Sequence, residues 1–190
     1  MRGAHAPWLQ RLGLAAEACA PLERYLDLLA AWSAGVNLTG ARTPRARVEL
    51  LVGAVAPAAP LLEAGSLLDV GSGNGSPGLV LALLRPDLEV TLLEPRKRRW
   101  AFLREAARAA GRPDIEVLCL RHDQYDGSPA RNVTLRALAL PLAGLRGLVE
   151  EGGLVLVFGG RPRAEGPFVL EGERTLPGSR LRLFRRGRFT

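Results

Sequence analysis

Lysine is almost missing from this chain of 190 residues: Lys97 is the only one, so nearly all of the positive charge behind a net +7 is arginine. Cysteine is scarce too. Cys19 and Cys119 stand far apart in no metal-ligand spacing. They read as two small hydrophobes in a reducing, cytoplasmic protein without a bound metal. No apolar run is long enough to span a membrane. There is no internal repeat, no low-complexity tract and no long linker. The first twenty residues faintly resemble a secretory leader, but Arg11 and Glu17 interrupt them, which makes an amphipathic helix the better reading. No Ser-His-Asp or Cys-His arrangement is discernible.

What is present suits one domain with a helical extension, since 47% of the residues are hydrophobic. Residues 22–34 place Leu22, Tyr25, Leu26, Leu29 and Trp32 at helical spacing and stop at Gly35. Residues 45–62 read as one or two further helices, broken at Pro57 and Pro60. The predicted division is therefore a helical extension over 1–65, packed on a second unit over 66–190. From Ser66 onward, apolar strand runs (66–70, 89–94, 115–120, 132–137, 154–160) alternate with helical patterns, among them 97–111 and 141–153. Alternation of this kind implies a doubly wound α/β fold, a mostly parallel sheet covered by helices on both faces. Residues 167–173 and 180–186 add two strands with no helix between them, hence an antiparallel hairpin at the end.

The segment LLDVGSGNGSPG, residues 67–78, joins the first of these strands to four glycines. Glycine allows unusual backbone dihedrals and close approach of a ligand. Two frames fit. Gly73, Gly75 and Gly78 match G-x-G-x-x-G, the dinucleotide fingerprint. Asp69, Gly71, Gly73 and Gly75 form D-x-G-x-G-x-G, which resembles the first motif of S-adenosylmethionine (SAM)-dependent methyltransferases. A dinucleotide presents a pyrophosphate to a helix N-terminus; SAM has no phosphate and needs a wide loop. Glu94 ends the second strand, where a carboxylate can accept from ribose hydroxyls, and it serves both frames.

Arginine clusters at 94–100 (EPRKRRW) and 179–189 (SRLRLFRRGRF). Such runs suit a polyanion, although each reads equally well as a solvated face.

Three segments in fixed order carry a more specific resemblance: AAWSAGVNLTGARTP (30–44), LLDVGSGNGSPGLVLALLRPDLEVTLLEPRKRRWAFL (67–103) and VTLRALA (133–139). They resemble the bacterial 16S ribosomal RNA guanine-N7 methyltransferases, also called glucose-inhibited division protein B. That resemblance implies a Rossmann-like methyltransferase domain, SAM as cofactor, and 16S rRNA or the 30S subunit as partner of a monomer that binds no membrane. By position it implies that Gly71 and Ser76 contact SAM, and that His122 and Asp123 border the adenine. Arg136 would lie at the methionine end or the target, as the candidate for a catalytic role. Guanine N7 keeps a free lone pair, so the implied reaction needs placement rather than a general base. N7 faces the deep, narrow major groove of paired RNA, which implies a target in a loop or distorted region.

The chain departs from the family in two places. Leu50, Gly53 and Ala54 replace the family's His-x-x-Asp-Ser, and Gly159-Gly160 replaces Lys-Gly. Both departures are expected near the substrate mouth. They leave open a divergent member, a paralogue with another substrate, and a non-catalytic SAM- or RNA-binding module. A nicotinamide-dependent oxidoreductase is the alternative from the dinucleotide frame.

Overall fold

The computed structural model describes residues 3–138 and 140–187. Ala139, in the third resemblance segment, and Arg188 and Phe189, in the second arginine cluster, lie outside the described residues. The helices are α1 (Ala6–Gln10), α2 (Ala16–Trp32), α3 (Pro44–Arg47), α4 (Gly78–Leu84) and α5 (Lys97–Ala109). The strands are β1 (Ser66–Val70), β2 (Glu89–Leu93), β3 (Glu116–Leu118), β4 (Ala130–Arg136), β5 (Val149–Phe158), β6 (Phe168–Leu176) and β7 (Ser179–Arg186). They form one sheet in the order β3-β2-β1-β4-β5-β7-β6. The first five are parallel; β7 runs antiparallel to β5, and β6 antiparallel to β7. This is the expected α/β architecture with its terminal hairpin. The strand order reverses between β1 and β4, and a sheet of this kind binds ligands outside the carboxyl ends of its strands at such a switch point.

The two sheet faces are covered differently. On one, α2, α4 and α5 bury Leu22, Tyr25, Leu29, Leu81 and Phe102 in a single apolar cluster that also holds Leu67, Leu92 and Leu156 of the strands. Val48, Leu51 and Val55 belong to the same cluster, so the N-terminal helices share their core with the sheet. On the other face, Val70, Leu135 and Val157 pack beneath Leu142, Leu145 and Leu148. Those three leucines lie on a 3-10 turn, Leu142–Leu148, not on the α-helix expected over 141–153. Gly144 and Gly147 weaken an α-helix there. Val149 then enters β5, and Gly152 (φ +72°) and Gly153 form an irregularity inside that strand instead of a helix stop. A Cβ on Gly153 would lie 2.9 Å from Glu150 O and 3.0 Å from Arg131 O, so the backbones meet too closely for a side chain.

Two other expectations change in detail. α2 starts at Ala16 and contains Pro21, because the apolar stripe continues back through buried Ala18. The 45–62 segment is three short turns: α3 capped by the Thr43 side chain, a π-helical turn Val48–Gly53, and a 3-10 turn Ala56–Leu61. Pro57 starts the last of these instead of breaking a helix, since its fixed φ suits a first turn.

Candidate functional site

β1 ends at Val70, and the chain turns at once at Gly71 (φ +73°) and Gly73 (φ +56°). Both Gly71 N–H and Ser72 N–H donate to Leu93 O at 2.9 Å, which fixes the turn to the end of β2. One residue further along β2's exit is Glu94. Its Oε2 accepts from Gly73 N–H at 2.9 Å and its Oε1 from Arg96 N–H at 2.8 Å. Glu94 is only 4% exposed, yet it lines a cavity of about 500 Å³ that opens at the carboxyl ends of β1, β2 and β4. Each carboxylate oxygen has a second lone-pair site, so the two amides aim the group without using up its accepting capacity.

Arg136 closes the far wall of this cavity. Its Nη1 donates to Ser76 Oγ at 2.8 Å and its Nη2 to Leu50 O at 3.0 Å. Ser76 Oγ in turn donates to Leu51 O at 2.7 Å. Burial lowers the guanidinium's pKa from its ordinary value. Among the described residues no carboxylate forms an ion pair with Arg136. A half-buried cation without a counter-charge is suited to an anionic ligand group.

Of the residues named from sequence, Gly71, Gly73, Ser76, Glu94 and Arg136 line this one cavity. Asp69, Gly75, His122 and Asp123 do not. Gly75 faces inward, where a Cβ would meet Leu79 and Tyr25 at 3.2 Å. His122, half-buried, and Asp123, exposed, form a turn after β3, and Asp123 pairs with Arg121 at 3.1 Å. The Arg121 hydrogen bond lowers the Asp123 pKa, so its carboxylate is engaged away from the cavity. Leu50 lies at the mouth as expected, but Gly53 and Ala54 are buried, with Gly53 facing Leu12. The π-helical turn separates these neighbours in sequence onto different sides.

Asp69 has a structural task. It is fully buried, and Thr134, its register partner on β4, donates from Oγ1 to Asp69 Oδ1 at 2.6 Å. Its carboxyl packs against Gly78 at the start of α4. Burial pushes the Asp69 carboxyl up from 3.8 to about 6, with hydrogen bonding, led by Thr134, opposing the shift. The folded state therefore holds this proton more tightly than the unfolded chain, so this group favours folding increasingly as pH falls from above 6 towards 4. Relative to an Asp69→Asn variant, which cannot titrate, the wild type should gain roughly 2 kcal/mol of stability between pH 7.5 and pH 4.5. Urea denaturation at both pH values measures this, and parallel profiles would refute it.

Sequence reasoning missed part of the wall. Asn74 Nδ2 donates to Leu38 O at 3.0 Å, its Oδ1 accepts from Ser76 N–H at 3.1 Å, and Tyr25 OH donates to Asn74 O at 2.9 Å. Arg99 Nη2 donates to Asn37 O at 3.0 Å. These bonds tie the 37–40 loop to the glycine turn and complete the cavity. The available signal was the asparagine inside a glycine run, a residue whose short amide bonds local backbone.

The family model described as rRNA small subunit methyltransferase G matches residues 18–165. The chain belongs to this family. Relatives named ribosomal RNA small subunit methyltransferase G bear this out. One from Paracoccus denitrificans is 40% identical over 134 residues, covering 68% of this chain and 67% of its own. One from Xanthomonas campestris pv. campestris is 39% identical over 152 residues, covering 80% and 70%. An RNA methyltransferase from Salinibacter ruber, solved with S-adenosyl-L-homocysteine, shares the fold with a TM-score of 0.55 at 20% identity, covering 76% of this chain and 90% of that one. A SAM-dependent methyltransferase from Aquifex aeolicus does so with a TM-score of 0.57 at 15% identity, covering 73% and 91%. Within the methyltransferase G family, the sequence frame that applies is D-x-G-x-G-x-G, and the dinucleotide frame falls away. The structure gives the physical reason. The start of α4, where a pyrophosphate would sit, is buried and filled by the Asp69 carboxyl.

Proposed function

We propose that this chain transfers a methyl group from SAM to N7 of a guanine in 16S rRNA, acting on naked RNA or on the 30S subunit. One arrangement carries the reading: a carboxylate aimed by two backbone amides, an open glycine turn and an uncompensated guanidinium all face one cavity. Glu94 would accept from the ribose hydroxyls. Gly71 and Gly73 would let the ligand lie against bare backbone. Arg136 would meet the carboxylate of the methionine part. The volume, about 500 Å³, suits a ligand of this size. When bound, SAM supplies a methyl on a sulfonium, and the bond to sulfur breaks as the bond to N7 forms. The chain's own contribution is alignment and exclusion of water, because N7 carries its lone pair without losing a proton. The test is methyl transfer from labelled SAM to 30S subunits from cells lacking this protein, followed by nucleoside analysis. Label in 7-methylguanosine supports the reading; absence of transfer overturns it.

Glu94→Ala should weaken SAM binding by roughly 1–3 kcal/mol, since it removes an acceptor and strands two amide donors. Calorimetry reads this directly, and an unchanged affinity would remove Glu94 from the ribose.

The two arginine clusters differ in the structure. On the hairpin, Glu173 pairs with Arg180 (3.1 Å) and Arg182 (3.3 Å), and Arg185 pairs with Glu171 (2.7 Å) and Glu63 (2.5 Å). Among the described residues no ion pair involves Arg96, Lys97 or Arg98. These three are exposed at the start of α5, and Arg96 also lines the cavity. RNA phosphates are therefore proposed to rest on Arg96, Lys97 and Arg98. Replacing Arg96 and Arg98 with glutamine should flatten the slope of log K against log salt by about 1.4 to 1.8, two contacts' worth. An unaltered slope in a filter-binding series would return this cluster to a solvated surface.

A further inference from the structure

A second cavity, of about 480 Å³, opens beside the first. Its walls are mostly apolar, from Leu135, Leu140, Pro141 and Val157, with Arg161 as the charged group among them. Among the described residues, only Ala137 and Leu138 line both cavities. Leu138 is 40% exposed, and its Cδ2 lies 3.2 Å from where a Cβ on Gly71 would stand. It is an apolar side chain set over the glycine turn, with a cavity on either side. The backbone is arranged for this. Ala137 has φ +53°, the one non-glycine residue with positive φ among those described, and its N–H donates to Phe158 O at 3.3 Å. Alanine disfavours that region, and strain of this kind persists where the surroundings over-determine it.

We infer that Leu138 is a positioning residue for methyl transfer. Its side chain is the partition between the cofactor cavity and the apolar cavity beyond, and it sets the spacing across which the acceptor guanine is presented. The inference rests on the reading of the first cavity as the SAM site. Three features carry it. The second cavity has the apolar walls that receive the faces of a nucleobase, with Arg161 in place for a phosphate. A residue bordering both spaces restricts both occupants at once. Truncating it joins the two spaces, so that water enters and each occupant gains freedom, in a reaction whose rate depends on alignment.

The experiment compares Leu138→Ala, Leu138→Met and Ala137→Gly with the wild type. Each is measured for S-adenosylhomocysteine affinity by calorimetry, for single-turnover methylation of unmethylated 30S subunits, and for melting temperature. Leu138→Ala should lose roughly 10- to 100-fold in rate while its affinity stays within about threefold of wild type. Leu138→Met, similar in volume, should recover most of the rate. Ala137→Gly should melt at or above the wild-type temperature, because glycine accepts the positive φ, and yet methylate more slowly as Leu138 loses its support. Wild-type turnover in Leu138→Ala would overturn the inference, as would a rate loss matched by an equal loss of affinity. A wild-type protein that binds S-adenosylhomocysteine but methylates no 30S guanine would overturn the functional reading itself, and the inference with it.

Discussion

A methyl group added at Gly78 should destabilise the protein by on the order of 3 kcal/mol, the upper range for overpacking a rigid core. A Cβ at this position would lie 2.4 Å from Asp69 Cβ and 2.5 Å from both Asp69 Cγ and Oδ2. Neither side has room to give. Asp69 is held in the central strand β1 and bonded to Thr134, while Gly78 opens the buried helix α4 behind it. The clash is specific to this pair, which makes a double-mutant cycle decisive. Asp69→Gly alone should also be destabilising, because it strands the Thr134 hydroxyl and loosens the strand. In the Asp69→Gly background, however, Gly78→Ala should cost markedly less, since the new methyl enters the space that the Asp69 Cβ and carboxyl left. Midpoints of urea unfolding for the four proteins measure the coupling. Additive changes would mean that helix propensity or loop conformation, and not this contact, requires glycine at position 78.

Arg136→Ala should lower SAM affinity by roughly 10- to 100-fold, the scale of losing hydrogen bonds to a charged group. Arg136 holds Ser76 Oγ and Leu50 O with separate nitrogens, so one planar group braces two walls of the cavity. Arg136→Lys should recover little, because an ammonium is a point charge and lacks the fork that spans both partners. The fold should suffer less than binding does: burial already disfavours the guanidinium's charge, and its removal relieves that penalty. Calorimetry with S-adenosylhomocysteine, beside a thermal melt of each variant, separates the two effects. If Arg136→Ala binds the cofactor as the wild type does, the guanidinium serves the RNA or only the wall. Retained binding with lost methylation would select the former.

The parts of the site that were legible in the sequence are those set by local backbone chemistry. The 71–78 glycines announce a turn because positive φ and close approach are properties of single residues, and the structure gives positive φ at Gly71, Gly73 and Gly75. Glu94 was legible because a strand's end is marked by its own pattern. The alternation of strands and helices likewise fixed a parallel sheet, and the absence of a helix between the last two strands fixed the hairpin. The helix expected over 141–153 failed for a non-local reason as well as for the glycines within it. Val149 is drawn into β5 by pairing with Ala130, a residue far away in the chain.

Tertiary structure alone decided which residues of a motif touch the cavity. Asp69 and Glu94 are both acids at the ends of neighbouring strands, yet one is a buried brace and the other lines the site. What separates them is register: Asp69 lies alongside Thr134, one step inside the sheet, while Glu94 lies one step beyond the end of β2. The two arginine clusters are similar in composition, but cross-strand pairing sets Glu173 opposite Arg182 on the hairpin, whereas among the described residues Arg96, Lys97 and Arg98 at the start of α5 form no ion pair. Leu138 belongs to the same class. Composition makes it an ordinary apolar residue after a strand, and only the convergence of β1, β4 and β5 puts it between two cavities. Periodicity and glycine spacing act over a few residues and can be read along the chain. Register, charge pairing and the sharing of a wall depend on segments that meet only after folding.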